Sequence, residues 1–376
     1  MRLKSLVVSL AALSLTATAV AAQQPANHQA LIHALEGNSY EAYVPHNYLN
    51  GKANGFWLGA FGQISAAYNT NYLLLHSTYQ PNFGQVKDNT LTYSLDNVDV
   101  LLGYDSNNAG FFADAGYSSF AAYDKTNPNR IVLQNALAIR EAFATYQFSS
   151  NIGVKAGQFN SDFGFYNPYQ PLLTQASSLY AQTTIMGVEA VVAMNQWHAS
   201  VTGAAQNGSE SNRSSMPNAA HPNIFIFNAG YSFKTQYGKL DLDASYANMS
   251  PLQLSESLGK VPAWLLGGHF ATNSYSISAH VQNLHYSTET YQPWLYDANF
   301  NYVLNKKLSV GAYGNFVYNA PKTESLHWLL GLTGAYQINH YFTANVYAQR
   351  AQVTSVASAK GIDNNFTLMG ALSVKI

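Results

Sequence analysis

Hydrophobic and polar residues alternate with period two along most of the chain. In LSVGAYGNFVY, Leu308, Val310, Ala312, Gly314, Phe316 and Tyr318 share one face, and Ser309, Gly311, Tyr313 and Asn315 share the other. The pattern recurs in WLYDANFNYV, with Trp294, Tyr296, Ala298, Phe300 and Tyr302 set against Asp297, Asn299 and Asn301. In KLDLDASY it sets Leu240, Leu242, Ala244 and Tyr246 against Lys239, Asp241, Asp243 and Ser245. Successive side chains of a strand point to opposite faces, so the pattern predicts strands with one apolar face and one polar or small face. About sixteen such segments follow one another, starting near Phe56, Leu91, Gly110, Ala136, Asn151, Thr184, Gln196, Asn223, Lys239, Ala263, Asn273, Pro293, Lys307, Glu324, His340 and Asn364.

The connectors alternate as well. Tight ones, such as Ser106 to Asn108, are interleaved with long ones: Asn69 to Asn89, Asp124 to Gln134, Asn160 to Thr183, Gln206 to His221 and Met249 to Pro262. An even number of antiparallel strands with short turns at one end and long loops at the other is the pattern of an outer-membrane barrel. Lipid offers no partner for backbone polar groups, so a sheet in a bilayer must close and leave no edge. The expected fold is therefore all-β: a transmembrane antiparallel β-barrel of about sixteen strands over residues 55–376, with short periplasmic turns and long outer loops. About sixteen strands enclose an aqueous lumen, whereas about eight would be filled by side chains.

Composition agrees. Charged residues make up 10% and aromatics 14%, with 27 Tyr, yet no mature segment approaches the ~20 consecutive apolar residues of a membrane helix. Aromatics near predicted strand ends, including Trp57, Tyr104, Phe148, Trp197, Tyr302 and Trp328, suit interfacial girdles. Taken singly they also suit cross-strand packing in a soluble exported sandwich or propeller; their number and the charge-poor apolar face favour lipid. Arg2 and Lys4, the apolar run Leu6 to Leu15 and the small residues Ala19 to Ala22 form a secretory signal over residues 1–22. Residues 23–54, with HQALIHALEG as a short helix, form a periplasmic N-terminal segment or a luminal plug. The chain has no cysteine, which excludes disulfides and thiol chemistry, and no basic patch for nucleic acid.

No catalytic, cofactor-binding or metal-binding residue emerges. His198 with Ser200, and His280 with Ser278, are i and i+2 pairs that alternation produces without any catalytic purpose, and no Gly-x-Ser-x-Gly elbow occurs. The 11 histidines lack His-x3-His or His-Glu-x2-His spacing.

One stretch carries a family resemblance. REAFATYQFSSNIGVKAGQFNSDFGF, followed by GVEAVVAMNQWHASVTGAAQNG, resembles the porin O/P-type (phosphate-selective porin-like) outer-membrane channels over about residues 139–208. Arg140, Ala142, Phe143, Gly157, Gln158, Phe159, Phe163, Gly164, Asn207 and Gly208 follow the order of the family's pattern: an Arg-x-Ala-aromatic strand, a Gly-Gln-Phe strand end, a Phe-Gly step into a loop, and a later Asn-Gly. The resemblance implies an inward-folded third loop, here Asn160 to Thr183, a homotrimer, and a channel for small hydrophilic solutes in the outer membrane of a Gram-negative bacterium. Asp162, Tyr166, Tyr169, Gln170 and Tyr180 are then the expected constriction residues. The proline expected before Phe163 is Asp162 here, and the loop lacks the cations an anion-selective member needs. The chain also ends on Ile376 rather than on the usual terminal aromatic.

With the polar face turned to the lumen, the expected pore-lining charges are Asp99, Asp114, Glu189, Asp241, Asp243 and Asp297 against Arg140, Lys155, Lys239 and Lys375, a mild cation bias. Glu141 falls on the face of Leu137, Ile139 and Phe143, which aims it at lipid. A bulge, a shifted register or a subunit contact would each account for it, and a trimer contact is the expectation. Two functions fit: a passive diffusion porin, or a non-conducting surface barrel serving as adhesin, receptor or anchor.

Overall fold

The computed structural model describes residues 31, 32, 34–37, 39, 46–49, 54–69, 90–123, 131–164, 184–205, 224–249, 261–285, 292–319, 326–353 and 364–376. A two-residue strand, β1 (Asn47–Tyr48), precedes sixteen long ones. These are β2 (Gly55–Asn69), β3 (Thr90–Asp105), β4 (Ala109–Tyr123), β5 (Ile131–Gln147), β6 (Ile152–Asn160), β7 (Thr184–Met194), β8 (Trp197–Ala205) and β9 (Ile224–Lys234). They continue as β10 (Lys239–Met249), β11 (Val261–Ala271), β12 (Tyr275–Leu284), β13 (Trp294–Val303), β14 (Leu308–Tyr318), β15 (Leu326–Gln337), β16 (Phe342–Val353) and β17 (Asn364–Lys375). Each pairs antiparallel with its sequence neighbours, and β17 returns to β2 from Thr367↔Asn69 to Lys375↔Phe61. The sixteen-stranded barrel is closed, so its long strands leave no free edge. The shortest of these strands, β6 and β8, have 9 residues. That is the length a tilted strand needs to cross the hydrocarbon core, ~9–11 residues.

The tight turns are built from side chains that substitute for missing ladder bonds. Asn305 Oδ1 accepts from Lys307 N and Leu308 N (2.9 and 3.1 Å), and Asn339 Oδ1 accepts from Tyr341 N and Phe342 N (2.9 and 3.0 Å). Thr235 and Thr272 do the same with their hydroxyls. Asn195 takes the left-handed conformation (φ 54°) in the two-residue turn between β7 and β8, where asparagine is tolerated.

Exposure alternates with the strands. On β3, Val98, Val100, Leu102 and Tyr104 are exposed, while Asp99 and Leu101 are buried. Continuous rows of such residues cover the outside, for example Ala244, Leu266, Val281, Tyr296 and Phe316 in register. An apolar exterior of this extent is what lipid covers.

Three expectations are corrected. β5 begins at Ile131, not near Ala136, because Ile131-Val132-Leu133 is a continuous apolar run without the alternation that marks the other starts. Trp57 is fully buried and points inward, its indole stacked on His46 (centroids 3.8 Å apart, 6° between planes), so it is not a girdle residue. Glu141 is fully buried as well, because the β4–β5 register steps from Asp114↔Glu141 to Ala115↔Ile139. Arg140 is thus the extra residue of a bulge. Both Arg140 and Glu141 turn inward while Ile139 stays outside at 56% exposure, so Glu141 is not a lipid-facing trimer contact.

Candidate functional site

The bulge in β5 exposes backbone carbonyls that β6 does not pair, since the β5–β6 ladder runs only from Ala142↔Gln158 to Gln147↔Gly153. Gln158 meets them: its amide donates to Ile139 O and Arg140 O (2.9 and 3.1 Å). Gly157 has φ 137°, and a Cβ there would overlap the carbonyl of Ala142, so only glycine fits. Phe159 is fully buried against Phe143 (ring centroids 6.3 Å apart). Gly157, Gln158 and Phe159 therefore complete the bulge that brings two consecutive charges inside.

Those charges open an acidic belt on the inner wall. Arg140 Nη1 bonds Asp99 Oδ1 at 2.9 Å, and Lys155 Nζ bonds Glu189 Oε2 at 2.9 Å beneath the rings of Phe143 and Phe159. Glu141 accepts from Asn160 N through Oε1 and from Ser39 Oγ through Oε2, both at 2.9 Å. Asp114 is buried beside them, with no hydrogen-bond partner for either oxygen among the described residues. On the opposite wall, His280 Nδ1 lies 2.9 Å from Asp297 Oδ1, and its Nε2 lies 3.7 Å from Asp243 Oδ1. Lys239 and Asp241 (2.8 Å apart) lie lower, near the short-turn end, with Asp241 also accepting from Ser232 Oγ. Lys375 is half-buried at the same end of β17.

A recurrent device keeps these side chains flat against the wall. A long side chain leans over a glycine on the next strand, in register for all but the bulge residue Arg140, and meets a residue on the strand beyond. Arg140 crosses Gly116 to Asp99, His280 crosses Gly267 to Asp243, Tyr313 crosses Gly331 to donate to Gln349 Oε1 (2.7 Å), and Trp57 crosses Gly103 to Phe112. At each of these glycines a Cβ would overlap the crossing side chain. Polar groups thus pair tangentially instead of projecting across the lumen.

The third loop enters the barrel at its first residues. Asp162 accepts from Ser200 Oγ on β8 (2.9 Å), Phe163 is fully buried, and Gly164 N donates to Ser245 Oγ on β10 (2.8 Å). Three strands, β7 to β9, lie between β6 and β10, four spacings of ~4.8 Å along the wall. Residues 161–164 span that gap inside. Of the expected constriction residues, Asp162 is in this crossing; Tyr166, Tyr169, Gln170 and Tyr180 lie outside the described residues.

The barrel is similar to OprB of Pseudomonas putida in its high-pH structure, with a TM-score of 0.63 and 12% identity over 86% of this chain and 94% of that one. The fold is that of the outer-membrane porins. OmpF of Salmonella typhi, solved as a complex with daunomycin, matches with a TM-score of 0.60 and 9% identity over 88% of this chain and 100% of that one. The outer membrane channel DcaP of Acinetobacter baumannii matches at 0.52 and 13% over 87% and 99%. No protein-family model and no curated protein matches the sequence. At these identities the likeness extends to the porin fold, and the belt has to be interpreted from its own residues.

Sequence reasoning missed Glu141 and the glycine crossings as parts of this site. The Arg-Glu dipeptide inside an otherwise alternating strand was the available signal for the bulge, since no flat register turns both residues away from lipid. The crossings depend on which residues pair across strands, and one strand's sequence does not contain that information.

Proposed function

We propose that the protein is an outer-membrane channel for passive diffusion of small hydrophilic solutes, preferring cations and neutral molecules to anions. The observation that carries this reading is the belt inside a closed barrel with an apolar exterior. Among its described residues, Asp99, Asp114, Glu141, Asp162, Glu189, Asp243 and Asp297 face the fixed cations Arg140 and Lys155. Charge lining a pore sets its selectivity, and this belt repels phosphate. A phosphate-selective member of the porin O/P type would need the opposite balance, so the resemblance supports the architecture of the third loop and not the family's anion preference. Asp162 and the rest of the third loop form the constriction in this reading, and three copies form the working assembly, as the resemblance implies.

The test is single-channel recording of the purified protein in a planar bilayer, with the reversal potential measured under a potassium chloride gradient. Discrete steps with a reversal potential of cationic sign are expected, and Asp243→Asn with Asp297→Asn should move it towards zero. Steps with an anionic sign would refute the reading. The second reading, a non-conducting surface barrel, is favoured by one observation: the N-terminal stretch lies against the inner wall at Val191 and Ala193. A folded protein that gives no steps at all would decide for it.

A further inference from the structure

We propose that the described residues 31, 32, 34–37 and 39 belong to an internal plug, seated on the β5–β7 wall, whose release uncovers Glu141 and Lys155 of the belt and widens the lumen; this rests on the channel reading above. Leu31 and Leu35 pack on Val191 and Ala193, and a Cβ on the neighbouring wall residue Gly153 would come 2.8 Å from Leu35 Cδ1. Gly37, at φ 53°, lies so close that a Cβ on it would stand 3.2 Å from Asp162 Oδ1 and 3.4 Å from Lys155 Nζ. Ser39 then bonds Glu141. The chain is tied to the barrel again at its lower rim, where His46 stacks on Trp57 and Tyr48 donates to Asp105 Oδ2 at 2.6 Å. The two described stretches, before and after residues 40–45, are therefore held at different strands of the wall.

The consequence for the charges is physical. Lys155 is 1% exposed and Glu141 and Glu189 are fully buried, although all three stand on the inner face of a barrel wide enough to hold water. Taking charges out of water is costly, and the segment covers two of them directly, Glu141 through Ser39 and Lys155 beside Gly37. Leu31, Ala34 and Leu35, with the Ser39 hydroxyl, are among the contacts that hold the segment against that cost. A helix about 10 Å across with its side chains also occupies a sizeable share of a sixteen-stranded lumen.

Two full-length variants test this. Leu31→Asp with Leu35→Asp leaves the barrel wall intact and removes the apolar seat. Step conductance should rise about 1.5-fold or more, from the lumen area a helix occupies, and the reversal potential should become more cationic. In Gly37→Cys with Asp162→Cys, the Cβ position of residue 37 is 3.5 Å from the carbon that the new sulfur replaces, close to disulfide geometry. The chain has no other cysteine, so mild oxidation should give one bond, visible as a gel shift reversed by dithiothreitol. A folded double-cysteine protein that forms no bond would show that the segment is not seated there. A bond that forms, with wild type and aspartate variant conducting equally, would overturn the plug and leave the channel reading standing. A bond that forms with neither protein conducting would overturn both.

Discussion

Leu266 and Leu304 are exposed to the same degree, 51% and 52%, and differ only in depth. Leu266 is the middle residue of β11, which has 11 residues, and its in-register neighbours are Ala244 and Val281. A strand rising ~3.4 Å per residue and tilted ~40° advances ~2.6 Å along the membrane normal, which puts Leu266 ~13 Å from either end, at the middle of a ~25 Å apolar band. Leu304 sits in the tight turn after β13, at the band's edge. Arginine at the midplane of such a barrel costs ~2–4 kcal/mol and near the interface ~0–1 kcal/mol. Leu266→Arg should therefore lower the folding equilibrium by about 30- to 700-fold, at ~1.4 kcal/mol per tenfold, and Leu304→Arg should change it little. Urea unfolding in lipid vesicles, followed by tryptophan fluorescence, measures both. On a soluble barrel the two exposed leucines would behave alike, within about 0.5 kcal/mol. Equal effects would refute the placement of the apolar exterior in lipid.

Lys155→Met should destabilise by about 3–5 kcal/mol because Glu189 is left buried without its partner, and adding Glu189→Leu should recover most of it; urea titration of the two single variants and the double one gives the coupling. Additive, small effects would mean that water reaches the pair. Gly331→Ala places a methyl where the Tyr313 ring lies, so the ring must swing off the wall and its bond to Gln349 breaks; step conductance should fall, whereas Tyr313→Phe should leave it close to wild type. Gln158→Leu strips the bulge carbonyls of Ile139 and Arg140 of their donor and should cost about 1–3 kcal/mol; a loss below 0.5 kcal/mol would mean that the bulge does not depend on it.

The strands were legible because each face meets a different solvent. Lipid outside and polar groups inside impose period two along every strand, as in Leu308 to Tyr318, where the exposed residues Val310, Phe316 and Tyr318 alternate with the buried Tyr313 and Asn315. The turns were legible because Asn305, Asn339, Thr235 and Thr272 carry the local hydrogen bonds that a tight connection needs. Trp57 was misplaced because an aromatic near a strand end satisfies both an interfacial girdle and an inner stack, and its ring stacks on His46, a residue outside the strand pattern. The glycine crossings could not be read at all. That Gly267 faces both His280 and Asp243 is a statement about register among three strands, and the glycine contributes to the polar site only through the side chain it lacks.

The Arg140-Glu141 dipeptide joins these levels. In a regular strand one of the two would face lipid, where arginine is the costlier. The bulge avoids this by turning both inward, and it creates unpaired carbonyls that need a donor from the next strand. Gln158 is that donor, and Gly157 permits the close approach of β6. Once inside, Glu141 has two carboxylate oxygens to satisfy, and it does so with Asn160 at the base of the third loop and Ser39 of the N-terminal segment. A single local irregularity, forced by the solvent outside, thus fixes where two separate pieces of chain enter the lumen.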